Sequence, residues 1–224
     1  MVVAPQTRVA PAMSVRPTTE FRDAMLERIR SARDTPSRPV DVPRSYRTSL
    51  PGGVDLIERF AERVGDYRAV VHRSSQRKLP ATVLRTLRGH DVRRVVTPPG
   101  LPTEWMKAAG SIELVIDDPP LTHTQLDRID AVISGCAIAI AETGTIVLDA
   151  GPGQGRRALS LLPDVLVCVV RADQVVGDVP EALARLEPRH PLTWISGPSA
   201  TSDIELNRIE GVHGPRNLEV IIVG

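Results

Sequence analysis

The stretch from residue 131 to residue 155 constrains the fold of this chain more than any other. Residues 131–141 form an almost unbroken apolar run, Glu142 follows it, and residues 146–148 are again apolar. Runs of this kind are typical of strands buried on both faces, as in parallel sheets that helices cover. The pattern therefore predicts a buried strand over 131–141 and a second strand after the turn at Glu142.

Glu142 is the first candidate for a functional residue. An ionised carboxylate at the end of a buried strand is costly unless water, hydrogen-bond donors or a ligand meets it, and ligands of open α/β sheets bind where strands end. We therefore expect Glu142 to act as an acid, base or nucleophile, with donors from Thr143, Gly144 and Thr145 beside it. The alternative is a solvated turn residue. The short link at 142–145 permits an antiparallel hairpin but not a parallel crossover.

Helix-like and strand-like segments alternate along the chain, which predicts an α/β protein with a largely parallel sheet. Residues 1–49 are expected to hold a proline-containing tail, a helix over 19–33 and part of a linker over 34–53, whereas residues 50–224 form the α/β domain. The further predicted helices cover 54–64, with Gly65 as its C-terminal cap, and 79–87, 103–109, 121–128, 156–161 and 180–186. The further predicted strands cover 67–72, 92–97, 112–116, 164–170, 192–195 and 217–223.

A glycine-rich loop follows the second strand. Gly151, Gly153 and Gly155 alternate along the loop, and Arg156 and Arg157 come directly after it. Backbone N–H groups at the start of a helix bind anions, so the loop is a candidate anion site to which an arginine adds charge. Its spacing matches neither the dinucleotide fingerprint nor the phosphate loop. A loop that only has to turn sharply is the equal alternative.

Small hydroxyl residues crowd the segment 196–203. Ser199 and Thr201 precede Asp203 in a pattern typical of a helix N-cap. Capping explains one of these residues but not the whole group. A polar or anionic ligand bound at the helix start would explain more.

The last polar motif lies just before the closing strand. His213 and Arg216 flank Gly214 and Pro215, and they could hydrogen-bond a carboxylate or phosphate, the arginine in bidentate fashion. The alternative is a tight turn with a capping histidine and a solvated arginine. These residues complete the set of candidate ligand-binding positions.

Composition excludes several classes of function. The net charge is +1 and aromatic residues make up 3%, so we expect no binding of nucleic acid. No segment approaches the ~20 apolar residues of a membrane span, and we expect a cytoplasmic protein. The two cysteines, Cys136 and Cys168, lie in apolar runs outside any CxxC or Cys/His cluster. We therefore expect neither a structural zinc nor a protein-ligated iron–sulfur cluster in this chain.

Three motifs in sequence order carry a resemblance to a known family. Ala141-Glu-Thr-Gly-Thr-Ile-Val-Leu148, Gly197-Pro-Ser-Ala-Thr-Ser-Asp-Ile-Glu205 and Gly211-Val-His-Gly-Pro-Arg216 before a Val/Ile-rich end resemble the lactate utilisation protein C (LutC) family, the LUD domain. The resemblance covers residues 50–224 and the N-terminal helix. It implies a three-layer α/β sandwich related to ribose-5-phosphate isomerases, CoA transferases and 5-formyltetrahydrofolate cyclo-ligases.

The resemblance also implies a function. The family takes part in oxidising L-lactate to pyruvate beside two partner proteins that carry iron–sulfur clusters. This chain, which shows neither a flavin nor a nicotinamide fingerprint, is then expected to be a non-redox subunit without a cofactor of its own. It would bind a small carboxylate, another anionic ligand or its partners through the region of Glu142, His213 and Arg216.

Two alternative functions stay open. Residues 141–144 are similar to the Ser-Glu-Asn-Gly motif in which the glutamate of CoA transferases attacks an acyl thioester, although Ala and Thr replace Ser and Asn. This similarity implies acyl transfer with Glu142 as nucleophile. A nucleotide-dependent folate cyclo-ligase would instead need a basic phosphate site, to which Arg156, Arg157 and Arg216 could contribute.

Overall fold

The structure, a computed structural model, describes residues 19–33, 42–202, 208–210 and 214–224, with 200–202 and 208–210 described by their backbone. Helix α1 (Thr19–Arg33) confirms the helix predicted over 19–33. It belongs to a unit that ends at residue 46, and residues 47–224 form a second compact unit. The predicted tail and residues 34–41 of the predicted linker lie outside the described residues.

Helices and strands alternate along the second unit, as the sequence predicts. The described helices are α2 (Leu56–Asp66), α3 (Leu79–Gly89), α4 (His123–Leu126) and α5 (Val179–Arg185). The described strands are β1 (Val70–Ser74), β2 (Arg94–Thr97), β3 (Glu113–Ile116), β4 (Ala131–Ser134), β5 (Ile138–Ile140), β6 (Thr145–Leu148), β7 (Val165–Arg171), β8 (Val175–Val176), β9 (Thr193–Ile195), β10 (Ala200–Ser202), β11 (Arg208–Glu210) and β12 (Asn217–Val223). No described helix is long and apolar enough to cross a membrane.

Six parallel strands form the main sheet, in the order β1-β12-β7-β4-β2-β3. The central strands β7 and β12 are buried along almost their whole length, and most of their residues are Val, Ile or Leu. Successive side chains of a strand point to opposite faces, so Cys168 enters one core cluster whereas Val167 and Val169 enter another. The predicted α/β class with its parallel sheet is confirmed.

Different layers cover the two faces of the main sheet. Helix α3 and the 3-10 helix Thr103–Met106 pack on one face, and α2, α4 and a second sheet pack on the other. The second sheet has four strands in the order β8-β5-β6-β9. Its β5–β6 pair is the antiparallel hairpin predicted at 142–145.

The apolar run over 131–141 is two strands, so the prediction of a single strand was wrong. Strand β4 ends at Ser134 in the main sheet, and β5 begins at Ile138 in the second sheet. The chain leaves the main sheet at Gly135, whose N–H donates to the carbonyl oxygen of Gly153 at 2.8 Å. An apolar run does not reveal such a break, because both halves are buried.

Other local predictions were wrong at turns and helix ends. Helix α2 continues through Gly65 to Asp66 and therefore does not end at the predicted glycine cap. The helix predicted over 156–161 is absent: residues 157–161 form turns, before Pro163, which has no N–H to extend them. Residues 200–202 form strand β10, which pairs with β11, and the helix start expected at Asp203 lies outside the described residues.

A buried glutamate joins α3 to the main sheet. The side chain of Glu219, in β12, is 6% exposed, and its two oxygens lie 2.6 Å from His72 Nε2 and 2.7 Å from His90 Nε2. A carboxylate accepts hydrogen bonds, and each histidine can donate one to it from Nε2. His72 lies in β1 and His90 directly follows α3. Sequence spacing did not indicate this contact, because the three residues are far apart in the chain.

The Glu219 cluster generates a stability prediction. The substitution Glu219→Gln replaces one acceptor oxygen by an NH2 group, so one histidine loses its acceptor. We expect the free energy of unfolding to fall by about 1–3 kcal/mol, measured by urea denaturation at pH 7. The control Glu113→Gln removes the exposed ion pair with Arg94 and should cost about 1 kcal/mol or less. Equal stability of Glu219→Gln and the unchanged protein would contradict this account.

Candidate functional site

After β2, the next strand along the chain is added on one side of β2 and the following strand on its other side. This change of side opens a crevice at the carboxyl edge of the main sheet. The chain runs from β2 outward to β3 and then returns to β4 on the other side of β2. The two connections lie on opposite faces, since Trp105 of the first and Leu126 of the second belong to different core clusters. Ligands of open α/β sheets bind in crevices of this kind.

A cleft of about 560 Å³, called here the carboxyl-edge cleft, occupies this position. Gly153 holds the glycine-rich loop against two other segments of the chain. Its N–H donates to the carbonyl oxygen of Pro99 at 2.9 Å, and its carbonyl oxygen accepts a hydrogen bond from the N–H of Gly135. The φ of Gly153 is +74°, and an added Cβ would lie 3.3 Å from the Gly100 carbonyl oxygen, which explains the glycine. The residues that line the cleft are Pro99, Gly100, Asp117, Ala150, Gly151, Pro152, Gly155 and Arg156.

Asp117 and Arg156 form a bidentate ion pair in this cleft. Arg156 Nε donates to Asp117 Oδ2 at 2.7 Å, and Nη2 donates to Asp117 Oδ1 at 3.0 Å and to the Leu121 carbonyl at 2.6 Å. The N–H of Leu121 also donates to Asp117 Oδ1, at 2.8 Å. The Asp117 side chain is 4% exposed and that of Arg156 is 34% exposed.

The ion pair changes the pKa of both partners. Burial acts to raise the pKa of Asp117, but the hydrogen bonds from Arg156 and Leu121 and the charge of Arg156 outweigh it and hold that pKa below its usual value. The hydrogen bond to Asp117 raises the pKa of Arg156 despite its partial burial. Both side chains are therefore charged at neutral pH.

The predicted glycine loop brings fewer donors to the cleft than its sequence indicates. The N–H of Gly151 donates to Asp149 Oδ1 at 2.9 Å, and that of Gly153 is taken by Pro99. The N–H of Gly155 makes no hydrogen bond to any described residue. Of the three N–H groups, one is thus open to a ligand.

A second cavity, of about 290 Å³, lies at the amino edge of the main sheet, beside the starts of β7 and β12. The predicted residues Ser199 and Gly214 line this amino-edge cavity. They are held together because the N–H of Ser199 donates to the Pro215 carbonyl at 2.8 Å. A smaller cavity of about 130 Å³ shares Arg156 with the carboxyl-edge cleft and Arg157 with the amino-edge cavity.

The turn at Glu142 packs against helix α2. An added Cβ on Gly144, whose φ is +59°, would come within 2.7 Å of the Arg63 carbonyl carbon, so only glycine fits there. The Oε2 atom of Glu142 is buried, lies 3.6 Å from Arg59 Nε, and has no hydrogen-bond partner among the described residues. Glu142 lines neither the carboxyl-edge cleft nor the amino-edge cavity.

Hydroxyl groups connect this turn to the amino-edge cavity. Thr145 Oγ1 lies 2.7 Å from Thr143 Oγ1 and 2.8 Å from Ser196 Oγ. Ser196 in turn lines the amino-edge cavity. The predicted residues Thr143 and Thr145 are therefore linked to that cavity through Ser196.

The remaining predicted residues are either paired or not described. Arg216 Nε donates to Asp164 Oδ1 at 3.1 Å, and its Nη2 donates to Asp164 Oδ2, so a carboxylate of the chain itself occupies this arginine. Asp203 and His213 lie outside the described residues, and Thr201 is described by its backbone.

Asp117 is the site residue that the sequence interpretation missed. It directly follows the predicted strand over 112–116, which is the same signal that pointed to Glu142. Its partner Arg156 lies 39 positions further along the chain. The strand-end signal could have found the aspartate, but only the fold reveals the pair.

The fold and its cleft define an open-sheet α/β protein with a polar crevice at the carboxyl edge. Residues 57–223 match the LUD domain, and the chain belongs to the LUD domain family. It is 48% identical over 193 residues to lactate utilization protein C of Deinococcus radiodurans, covering 84% of this chain and 89% of that protein. It is 25% identical over 192 residues to lactate utilization protein C of Oceanobacillus iheyensis, covering 76% and 79%.

A solved structure resembles the fold directly. The crystal structure of a DUF162 family protein from Deinococcus radiodurans matches with a TM-score of 0.65 and 44% sequence identity. The match covers 76% of this chain and 97% of the other.

The Asp117–Arg156 pair generates a pH-dependent prediction. Because the pKa of Asp117 is lowered by folding, its carboxylate stabilises the protein above the unfolded-state pKa of about 4 and loses this contribution as the pH falls through the folded-state value. Asp117→Asn should lower the free energy of unfolding by about 1.5–3 kcal/mol at pH 7, with the difference shrinking below about pH 4. Urea denaturation across this range measures it.

The exposed pair of Asp164 and Arg216 provides the control. Asp164→Asn should change the stability by about 1 kcal/mol or less. A stability difference for Asp117→Asn that stays constant down to acidic pH would show that the carboxylate charge is not the cause.

Proposed function

We propose that this LUD-domain protein takes part in lactate utilisation, as a non-redox subunit of a cytoplasmic system that oxidises L-lactate to pyruvate. The observation that carries the proposal is the 48% identity to lactate utilization protein C of Deinococcus radiodurans. The alignment takes in 89% of that relative, so the similarity extends over nearly the whole protein rather than one motif.

The cysteine content supports placing the redox chemistry on partner proteins. Oxidation of lactate removes a pair of electrons, which need an acceptor, and iron–sulfur clusters are held by several cysteine thiolates. Cys136 and Cys168 are the two cysteines of the sequence, and both are buried in one core cluster. The hydrogen bond with Cys168, and burial, raise the pKa of Cys136 well above its usual value, so it stays a neutral thiol.

The described side chains also offer no other obvious cluster of metal ligands. Within the described ranges, no group of three or more His, Cys, Asp or Glu residues is placed to hold a metal ion. We therefore propose that iron–sulfur partner proteins carry the electrons.

One arginine lines the amino-edge cavity and another lines the carboxyl-edge cleft, and either arrangement supports a role in binding a small carboxylate. Arg157 lines the amino-edge cavity, and its guanidinium has no ion-pair partner among the described residues. Ser196 adds a hydroxyl group to the same lining, whereas the Ser160 hydroxyl donates to the Arg157 carbonyl at 3.0 Å. Arginine and hydroxyl donors are the groups that proteins use to bind carboxylates.

Acyl transfer with Glu142 as nucleophile is the second candidate. The buried Oε2 atom, which has no hydrogen-bond partner among the described residues, favours it, because a carboxylate oxygen with little solvation is more reactive; the ion pair with Arg59 opposes this effect. Its distance from the cavities weighs against it, since Glu142 lines none of the three described above. The folate cyclo-ligase alternative stays a prediction, and two of its three arginines, Arg156 and Arg216, are paired with aspartates.

The acyl-transfer alternative is tested by trapping. The protein is incubated with acetyl-CoA, reduced with borohydride and analysed by peptide mass spectrometry, with Glu142→Gln as the matched control. We expect no modified peptide around residue 142, because no described cavity leads an acyl group to this carboxylate. A modification present in the unchanged protein and absent from the variant would establish acyl transfer.

The leading proposal is tested by deleting the gene. The deletion strain should fail to grow on L-lactate as sole carbon source and grow normally on pyruvate, because the defect precedes pyruvate. Purification of a tagged copy from lactate-grown cells should recover partners whose absorption shows iron–sulfur clusters. Normal growth of the deletion strain on L-lactate would overturn the proposal.

A further inference from the structure

We propose that the carboxyl-edge cleft binds a small, singly charged carboxylate of the 2-hydroxy or 2-oxo acid class. Its carboxylate would lie on Arg156, and its carbon chain against Pro99 and Pro152. The choice of acid rests on the proposed function. The choice of site rests on the cleft itself.

The position and rigidity of the cleft are the first argument. It lies where the chain passes from one side of β2 to the other, and its walls are tied together by backbone hydrogen bonds from Gly135 and Gly153. Gly100 lies so close to the loop that an added Cβ would come within 2.9 Å of Pro152 Cβ. Walls held in this way form the site before the ligand arrives, as small-molecule sites usually do.

Arg156 is fixed by the protein but keeps donors for a ligand. Its Nε and Nη2 atoms make the bonds to Asp117 and Leu121, whereas Nη1 makes none to any described residue. A guanidinium carries donors on all three nitrogens. The group is therefore oriented in advance, and its free nitrogen can donate to a ligand oxygen without loss of the internal pair.

Backbone groups around the same cleft lack acceptors. In the part of the chain that the structure describes, the N–H groups of Gly100, Gly155 and Arg156 donate to no protein atom. All three residues line the cleft. Adjacent open N–H groups of this kind favour an oxyanion.

The charges of Asp117 and Arg156 determine which class of anion the cleft favours. The carboxylate of Asp117 neutralises most of the charge of Arg156, and no other ionisable side chain lines the cleft. A phosphate ester or polyphosphate would bring two or more negative charges beside Asp117 and would be repelled. Pro99, Ala150 and Pro152 make the rest of the lining apolar, which suits a short carbon chain and not a second charged group.

Pro152 allows a test that leaves the ion pair intact, because this residue is exposed. Pro152→Glu places a second carboxylate beside the bound one, and Pro152→Gln has the same shape without the charge. We expect L-lactate and pyruvate to bind the unchanged protein in calorimetric titrations. Pro152→Glu should weaken that binding about tenfold, and Pro152→Gln should weaken it clearly less. Inorganic phosphate should bind more weakly than either acid.

Arg156→Lys is the second variant, because lysine keeps the charge beside Asp117 but loses the planar set of donors. It should also weaken binding about tenfold, while urea denaturation checks that the variant is folded. Absence of binding, tighter binding of phosphate, or binding that Pro152→Glu leaves unchanged would each overturn the cleft assignment.

Two further outcomes separate this inference from the proposed function. If Arg157→Lys weakens binding and Pro152→Glu does not, the carboxylate lies in the amino-edge cavity; the cleft assignment then fails while carboxylate binding stands. If the deletion strain grows normally on L-lactate but Pro152→Glu weakens carboxylate binding, the proposed function fails and the cleft assignment stands.

Discussion

Burial of β7 and β12 on both faces is the constraint on which the rest of this structure depends. Each apolar side chain removed from water contributes about 1.5–3 kcal/mol, and these strands place such side chains in two separate core clusters. The sheet therefore needs a covering layer on each face, and α3 supplies one while α2 and the second sheet supply the other. With both faces covered, polar groups can gather at the two edges, where the cleft and the amino-edge cavity lie.

Two buried carboxylates have similar surroundings but contact different parts of the structure. Glu219 has both oxygens satisfied by histidines and joins a helix to the sheet. Asp117 is satisfied just as fully, but its partner Arg156 keeps a free nitrogen and lines a cleft. Burial and pairing alone thus do not mark a functional residue. What sets the Asp117 pair apart is that Arg156 lines a cleft and keeps one nitrogen without a bond to any described residue.

In the proposed function, the chain handles a small acid while partner proteins carry electrons. The geometry of the cleft is consistent with that division, since one arginine balanced by one aspartate suits a single negative charge. The two cysteines, by contrast, are both committed to the core. The cleft and the buried cysteines thus fit one proposal, in which this chain binds the acid and partner proteins carry the electrons.

Periodicity and composition were enough to establish the α/β class, helix α1, the closing strand β12 and the hairpin at 142–145, because each depends on residues close together in the chain. They did not reveal that the apolar run 131–141 divides at Gly135 between two sheets, since both halves are equally apolar. Nor could they pair Asp117 with Arg156, 39 positions away, or Glu219 with His72, 147 positions away. Those contacts arise where separate strands and loops meet, and only the packed sheet brings them within hydrogen-bonding distance.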